Sequence, residues 1–410
     1  MRVLSMWWVI LGHTYVFTGT FLNNGLDAAM TLPGRWTFQP ILQGTLSVDT
    51  FFFMSGLLVA YITLKKMAES EGRLNWIMFY FHRFWRLTPT YALFILIWAE
   101  LYRHFIKGPL EIMFNKGGNF RTLLELCQDK WWTNLLYINN FYPNYGDVNQ
   151  QCMGWSWYLA NDMQFFILSP IFIILLYRWR RAGIVVTIAT IACCIIARAV
   201  TVYELGIYIP SVQTPTKHVN DGYAKGSRPL YDKPYTRIAP YMVGMLLGYI
   251  LQRTDCRVRV HKVFFLIGWC LAMALGLSVT YGLLDYSEHP HQGSMFASIM
   301  YISLDRFVWS LACAWVVFAC STGNGGLIND ILSWKAWAPL GRLTYCAYIV
   351  HPAVLFYFLF NLKSTIHYDD NIGAFRFVGN MVMSYMVAYV YSMLIEAPML
   401  GLERLVFRRR

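Results

Sequence analysis

Long apolar runs separated by polar segments dominate the chain. A membrane-spanning helix needs about 20 mostly apolar residues, and ten runs approach that length. In chain order they cover residues 3–22, 43–64, 87–106, 158–177, 183–203, 238–251, 263–284, 297–320, 340–361 and 374–396. The sixth run is short and rich in glycine, so we expect its helix to be bent or to extend beyond these limits. The pattern predicts an all-α, polytopic integral membrane bundle of about ten transmembrane helices.

Two long polar segments, about 107–157 and 204–237, interrupt the series of apolar runs. Cys127 and Cys152 lie in the first of them. These two cysteines can form a disulfide if the loop faces an oxidising compartment, and the sequence alone leaves the pairing open.

Positive charge is unevenly shared between the loops of the two sides. On one side the basic residues are Lys65, Lys66, Arg73, Arg83 and Arg86, then Arg178, Arg180 and Arg181, then Arg253, Arg257, Arg259 and Lys262, and finally Arg404, Arg408, Arg409 and Arg410. The short loops of the other side carry Arg35 and Lys363. Because short cytoplasmic loops collect Lys and Arg, this bias predicts that both termini are cytoplasmic and that both long polar loops are exoplasmic.

The composition supports a membrane protein. Charged residues make up 14% of the chain, against about 25% in soluble domains. The formal net charge of +12 is explained by cytoplasmic Lys and Arg, and no nucleic-acid motif accompanies it. No spacing suggests a metal site, and the absence of GxSxG, Walker and Rossmann patterns argues against a Ser-His-Asp hydrolase and an NTP-driven pump.

The first apolar run contains two ionisable residues, Arg2 and His13. Eleven residues are close to three helical turns, so both side chains point the same way, about 16 Å apart along the axis. If the run spans a bilayer, Arg2 lies at one interface and His13 lies near the midplane. An ionisable residue at that depth suggests a functional site, although a histidine hydrogen-bonded to a neighbouring helix is an equally good explanation.

Three further candidates have a functional and a structural explanation. Arg83 and Arg86 lie one helical turn apart and can bind a phosphate group together. Alternatively, they are ordinary basic residues at the cytoplasmic end of a membrane span. Asp49 lies in the outer part of the second predicted span. It can pair with a cation, orient a histidine or cap the outer end of the helix.

Polar residues also lie inside later spans. Asp162 needs a partner if it is buried. The adjacent Asp305 and Arg306 cannot face each other on a helix, so each is expected to bond a different helix in a structural role. His351 lies about 16 Å into the ninth span, a depth similar to that of His13. Pro352 frees a backbone carbonyl beside it, and Pro398 in the E-A-P of residues 396–398 is explained as a helix stop.

These residues fall in segments that resemble the motifs of a known membrane family. The spacing from Arg2 to His13 resembles the Arg-x10-His signature of the acyltransferase 3 family, and SVDTFFFMSGLL (47–58) is similar to its G-V-D-x-F-F-x-x-S-G-x-L. HRFWRLTPTY, WYLANDMQFF, GRLTYCAYIVHP and the final EAP resemble its later elements in the same order. The chain is identified as a member of this family, and the residues within these motifs are similar to those of the animal branch called nose resistant to fluoxetine.

The resemblance implies a single acyltransferase 3 membrane domain over residues 1–410. It implies transfer of an acyl group, not an aminoacyl group, from a cytoplasmic donor that is commonly acyl-CoA to an acceptor at or across the membrane. Arg2, Arg83 and Arg86 share the predicted cytoplasmic face and fit CoA phosphates. His13 lies deeper by a distance comparable to a pantetheine arm and fits a general base for an acceptor hydroxyl, or an acyl carrier. Arg2, Asp49 and His351 complete the catalytic candidates.

Several expectations follow about partners and location. The predicted partners are membrane lipids, acyl-CoA and a lipid or carbohydrate acceptor, with no permanently bound cofactor, no metal and no nucleic acid. The predicted location is the endoplasmic reticulum or the plasma membrane. The alternative function is a non-enzymatic transporter of lipids or other hydrophobic molecules, which would not need Arg2 and His13 in register. Animal members of the family usually carry a Cys-rich extracellular domain before this region, so the chain is expected to be a fragment or a shortened member. The first run is expected to be a retained transmembrane helix and not a cleaved signal peptide.

Overall fold

The computed structural model describes residues 1–109, 123–142, 151–209, 228–258, 261–289 and 291–407. The helices of the first half are α1 (Arg2–Thr18), α2 (Gly25–Thr31), α3 (Gln39–Leu42), α4 (Leu46–Glu69), α5 (Trp76–Leu96), α6 (Leu123–Leu135), α7 (Trp157–Arg178) and α8 (Arg180–Glu204). The second half contains α9 (Arg228–Tyr231), α10 (Ile238–Arg253), α11 (Lys262–Tyr281), α12 (Leu284–Glu288), α13 (Met295–Ser321), α14 (Gly326–Leu332), α15 (Trp337–Phe360), α16 (Asp370–Tyr391) and α17 (Ala397–Phe407). Parts of both long polar loops lie outside the described residues.

The all-α prediction is confirmed. Across the described ranges the chain forms helices and turns with no β-strand, apart from one isolated bridge between Leu22 and Ile366. Seven helical segments among these residues are long and apolar enough to cross a membrane. They are Gln39–Glu69, Gly154–Arg178, Arg180–Glu204, Lys262–Glu288, Met295–Ser321, Trp337–Phe360 and Asp370–Val406. The chain is therefore an all-α polytopic membrane protein.

The other three predicted spans also fold as helices, α1, α5 and α10. The third predicted span, 87–106, differs in its limits, because α5 begins at Trp76 and gives way at its C-terminal end to a π-helical turn, Ile97–Leu101. Asn75 starts α5 early by accepting a hydrogen bond from the Met78 backbone N–H at 3.1 Å, which caps the helix. The total of about ten spans and the cytoplasmic position of both termini stay predictions.

The contacts group the chain into two compact units. Unit 1 comprises Met1–Ser5, Ala29–Leu74 and Asn161–Trp337, and unit 2 comprises Met6–Ala28, Asn75–Ala160 and Ala338–Arg410. The expectation of a single membrane domain over residues 1–410 stays a prediction.

Unit 1 is built on very close packing of α4 against α10. A Cβ atom added at Gly56 would overlap the Tyr241 carbonyl oxygen, and one added at Gly244 would overlap that of Phe53. Gly248 meets the Leu57 carbonyl in the same way. The glycines of the sixth apolar run therefore let two helix backbones approach closely, as small residues do in membrane bundles.

Unit 2 contains a disulfide between Cys127 and Cys152, which answers the question that the sequence leaves open. Between these cysteines, the Asn134 amide donates to the Tyr91 hydroxyl at 2.7 Å and to the Cys152 carbonyl at 2.9 Å. The Ser156 hydroxyl oxygen lies 3.0 Å from the same amide nitrogen, whose two N–H groups are thus shared among three acceptors. The disulfide and these bonds hold α6 against the residues that directly precede α7.

The C-terminal end of unit 2 corrects one expectation. Pro398 does not stop a helix, because α17 runs from Ala397 to Phe407. A π-helical turn, Ser392–Glu396, precedes it. Pro398 lies directly after the π turn, and the helical segment continues through it from Asp370 to Val406. Inside the π turn, the Glu396 carboxylate accepts hydrogen bonds from Ser392 at 2.7 Å and from the Cys346 thiol at 3.0 Å.

Candidate functional site

Two predicted site residues from opposite ends of the chain, His13 on α1 and His351 on α15, meet in unit 2. Nδ1 of His13 lies 2.7 Å from Nε2 of His351. The two rings are almost parallel, at 8°, with centroids 5.0 Å apart. Because the nitrogens are closer than the ~3.5 Å of a van der Waals stack, the rings meet edge to edge through a hydrogen bond.

The backbone around Pro352 determines which nitrogen of His351 carries a proton. Proline has no N–H, so the carbonyl four residues earlier, that of Tyr348, lacks its helical donor. Nδ1 of His351 lies 2.8 Å from this carbonyl oxygen and 3.1 Å from that of Ala347. A carbonyl only accepts, so Nδ1 of His351 is the protonated nitrogen.

The tautomer of His13 follows from that of His351. In the neutral His351 ring the proton on Nδ1 leaves Nε2 as an acceptor. Nδ1–H of His13 must therefore donate across the 2.7 Å contact. In neutral His13 this leaves the lone pair on Nε2. His351 is fully buried, whereas His13 is partly exposed, so the pair has the form of a basic nitrogen oriented by a buried partner.

Aromatic rings surround the histidine pair. The Phe17 ring stacks on His13 with centroids 4.9 Å apart and on Phe356 with centroids 4.7 Å apart. Phe356 in turn contacts Trp98 and Trp155. The Phe17 ring therefore covers one face of His13 with apolar surface, and hydrogen bonds are stronger in such a low-dielectric setting.

Arg83 and Arg86 lie near the N-terminal end of α5, also in unit 2. Arg83 is partly exposed and Arg86 is exposed. Helix α17 holds this part of α5, because the Trp85 indole N–H donates to the Met399 carbonyl at 3.0 Å and His82 contacts Glu403. The two arginines are thus presented three residues apart on an anchored helix, which is the spacing of neighbours on one helix face.

Arg2 is exposed and is the first residue of α1, the helix that also carries His13. The helix is continuous from Arg2 to Thr18. The predicted separation of three turns between the two residues therefore holds along its axis.

Asp49 lies in unit 1, where a cation accompanies it. Both of its carboxylate oxygens accept from Nη1 of Arg237, at 3.1 and 2.9 Å, and both side chains are fully buried. Nε of Arg306 lies 3.7 Å from the same carboxylate. Of the three expectations for Asp49, pairing with a cation is confirmed. Its catalytic role stays a prediction.

The polar residues of the later spans are also satisfied in unit 1. Asp305 accepts from Arg198 on α8 at 2.6 Å, whereas Arg306 donates to the Thr236 carbonyl, just before α10, at 3.1 Å. As predicted, the two adjacent residues bond different elements. Asp162 accepts from the Ser55 hydroxyl at 2.6 Å, which supplies the partner that its burial requires.

Two contributors to the site were absent from the sequence-based set, namely the carbonyl and the hydroxyl of Tyr348. The hydroxyl donates to the Trp155 carbonyl. The signal that indicates the carbonyl is local, since a histidine directly before a proline in a helix can reach the carbonyl that the proline leaves unpaired. Among the described residues no group of three or more His, Cys, Asp or Glu side chains could hold a metal ion.

Fold and site together define a polytopic helical membrane protein with a hydrogen-bonded histidine pair in an apolar setting. The model of the family described as "Acyltransferase domain" matches residues 1–397. The chain belongs to this family, the acyltransferase 3 family.

Several curated proteins are similar to the chain. Nose resistant to fluoxetine protein 6 of Caenorhabditis elegans is 32% identical over 100% of this chain and 51% of its own length. Regulator of hypoxia-inducible factor 1 of the same species is 27% identical over 97% of this chain and 78% of its own length. O-acetyltransferase OatA of Staphylococcus aureus is 22% identical over 87% of this chain and 52% of its own length. The chain thus spans about half the length of two of these relatives. No solved structure matches it.

Proposed function

We propose that this protein is a membrane-bound acyltransferase that moves an acyl group from cytoplasmic acyl-CoA to a hydroxyl-bearing acceptor at or across the membrane. The observation that carries the proposal is the His13–His351 hydrogen bond, with Nδ1 of His351 on the Tyr348 carbonyl. This arrangement leaves the lone pair of His13 on Nε2. Family membership and the similarity to an O-acetyltransferase support the reaction class.

In the proposed reaction Nε2 of His13 takes the proton of the acceptor hydroxyl while its oxygen attacks the thioester carbonyl. The C–S bond then breaks, and the CoA thiolate leaves and takes up the proton from the His13 imidazolium. His351 accepts the hydrogen bond from Nδ1–H of His13 throughout and so stabilises the imidazolium. A covalent acyl group on Nε2 of His13 is the alternative route to the same products.

The donor would be held at the cytoplasmic side by Arg83 and Arg86, whose guanidinium groups can bind phosphate oxygens through paired N–H donors. Arg2 supplies a further cation on the helix of His13. The acceptor, a lipid or a carbohydrate, would enter from the membrane or from its far side.

The test measures binding and turnover of acetyl-CoA and of a long-chain acyl-CoA by purified protein in detergent. Wild type should bind one donor and hydrolyse it slowly. His13→Ala should bind that donor but lose turnover by about 100-fold or more, the range that general acid–base catalysis contributes. Arg83→Ala/Arg86→Ala should lose binding, and Arg2→Ala should weaken it.

Arg180→Ala/Arg181→Ala is the matched control, because it removes two exposed arginines from the N-terminal end of α8, which is also predicted to lie on the cytoplasmic side. It should leave donor binding unchanged. Full turnover by His13→Ala would refute the role of the base. If folded wild type binds neither donor, the donor class is wrong and transport of a hydrophobic molecule becomes the better explanation.

A further inference from the structure

The residue that controls the histidine pair is Tyr348, which contributes to the site through its backbone as well as its side chain. Its carbonyl oxygen accepts from Nδ1 of His351 at 2.8 Å, and that carbonyl is available because Pro352 lacks an N–H. The chain repeats this arrangement elsewhere. Before Pro170 in α7, the Ser169 hydroxyl donates at 2.7 Å to the Phe166 carbonyl, which the proline leaves without its helical donor.

The two arrangements share one geometry and differ in chemistry. In both, the side chain directly before the proline satisfies the carbonyl four residues before that proline. A serine hydroxyl has a single rotatable proton and loses nothing by donating it. When a neutral histidine donates from Nδ1, its Nε2 can only accept a hydrogen bond. The Tyr348 carbonyl, which Pro352 leaves without a backbone donor, therefore determines which nitrogen of His351 is protonated.

The hydroxyl of Tyr348 is anchored to the residues that follow the Cys127–Cys152 disulfide in unit 2. It donates to the Trp155 carbonyl. The next residue, Ser156, is held by the amides of Asn134 and Asn139 at 3.0 and 3.1 Å. Asn134 also bonds the carbonyl of Cys152, a partner in the disulfide. A continuous series of bonds therefore runs from the disulfide through Asn134 and Ser156 to Tyr348 and on to His351.

We propose that Tyr348 is a positioning residue for the His13–His351 pair. Its carbonyl, released by Pro352, keeps the proton of His351 on Nδ1, and its hydroxyl holds the residue against Trp155. If either restraint is lost, His351 can turn and carry its proton on Nε2. Nε2–H would then donate to Nδ1 of His13, and the His13 proton would move to its own Nε2. The basic nitrogen of His13 would be lost without any change in His13 itself.

Two variants test the proposal, each with a matched control from the same chain. Tyr348→Phe removes the hydroxyl, and Tyr345→Phe removes a comparable bond on α15, from a tyrosine hydroxyl to the Leu87 carbonyl at 2.7 Å. Pro352→Ala returns a backbone N–H that competes for the Tyr348 carbonyl. Pro170→Ala makes the same change beside Ser169, away from any histidine.

The first readout is the 15N spectrum of protein labelled in its histidines, assigned with His13→Ala and His351→Gln, because nitrogen shifts report the tautomer directly. Wild type should show one tautomer at each ring, with the proton on Nδ1. Tyr348→Phe and Pro352→Ala should show mixed tautomers at both rings, and both controls should match wild type. Single, unchanged tautomers in folded Tyr348→Phe and Pro352→Ala would overturn the proposal.

The second readout is acyl transfer, so this part rests on the proposed function. Both test variants should lower kcat by about 10- to 100-fold, the cost typical of removing a group that orients a reacting side chain, with KM for the donor almost unchanged. The two failures are distinguishable, because wild type without acyl transfer would refute the function while the 15N spectra still decide the tautomer. If Tyr348→Phe does not fold, Pro352→Ala decides alone, since it removes no side-chain hydrogen bond.

Discussion

Several hydrogen bonds and ion pairs of the polar residues inside the spans are made with partners that are distant in sequence. His13 and His351 are separated by 338 positions and share one hydrogen bond. Asp49 and Arg237 are separated by 188 positions and form a fully buried ion pair. The histidine pair leaves the lone electron pair on Nε2 of His13 available for catalysis, whereas both carboxylate oxygens of Asp49 accept hydrogen bonds from Arg237. This contrast favours catalysis at the histidines and structural support at Asp49.

The role of Asp49 can be separated from catalysis by a stability measurement. Asp49→Asn should lower the free energy of unfolding in detergent by about 3–5 kcal/mol, because it leaves Arg237 buried without its counter-charge. Acyl transfer per folded molecule should stay close to wild type. Glu69→Gln is the control, since it removes an exposed carboxylate from the same helix. A stable Asp49→Asn protein that has lost its turnover would instead support the predicted catalytic role.

Glycines, prolines and π-helical turns determine how several helices of this protein pack and bond. Glycines allow α4 and α10 to approach backbone to backbone in unit 1. Prolines in α7 and α15 free carbonyls that neighbouring side chains then bind. In unit 2, π-helical turns at Ile97–Leu101 and Ser392–Glu396 interrupt otherwise regular helices. Such turns are often found at functional sites.

The glycine contact between α4 and α10 gives a prediction at the scale of the element. Gly244→Leu should destabilise the protein by about 1–3 kcal/mol or more, because overpacking a closely fitted interface forces the backbones apart. Gly379→Leu is the control, since nothing lies within 4 Å of a Cβ added there. Thermal unfolding in detergent measures both. Equal midpoints for the two variants would show that this contact is not tightly packed in solution.

The whole molecule is a polytopic membrane protein, and its orientation is predicted by loop charge and supported by the disulfide. Disulfides persist in oxidising compartments and not in the cytosol, so the loop that holds Cys127 and Cys152 fits the exoplasmic side. The bias of Lys and Arg in the short loops independently predicts the same side for this loop.

Orientation is tested by labelling introduced cysteines with a membrane-impermeant maleimide. Lys363→Cys and Arg180→Cys place exposed thiols at positions predicted to lie on opposite sides, in the loop before α16 and at the first residue of α8. The background lacks Cys193 and Cys270, which are exposed and free. Lys363→Cys should react on intact cells if the protein reaches the plasma membrane, and Arg180→Cys only after permeabilisation. In sealed microsomes from an internal membrane, Arg180→Cys should react first. Labelling of both, or the reverse pattern, would contradict the predicted topology.

The sequence by itself determined the class of the protein and most of its helices. Hydropathy is a property of neighbouring residues, so apolar runs identify membrane helices before any contact is known. Spacing within one helix is also local, and it correctly placed Arg2 and His13 on the same helix. The limits of α5 and the continuation beyond Pro398 were missed, because hydropathy marks neither the cap at Asn75 nor the π-helical turn before Pro398.

The tertiary structure decided the partners. It paired His13 with His351, Asp49 with Arg237 and Cys127 with Cys152, in each case across a long stretch of chain. No local pattern specifies such a pair, because the contact forms only when helices pack in one particular arrangement. The tautomer of His13 depends on both the local sequence and the tertiary structure. The sequence alone shows that Pro352 leaves the Tyr348 carbonyl without a helical donor. Only the packing of α1 against α15 brings His13 to the His351 ring that this carbonyl orients.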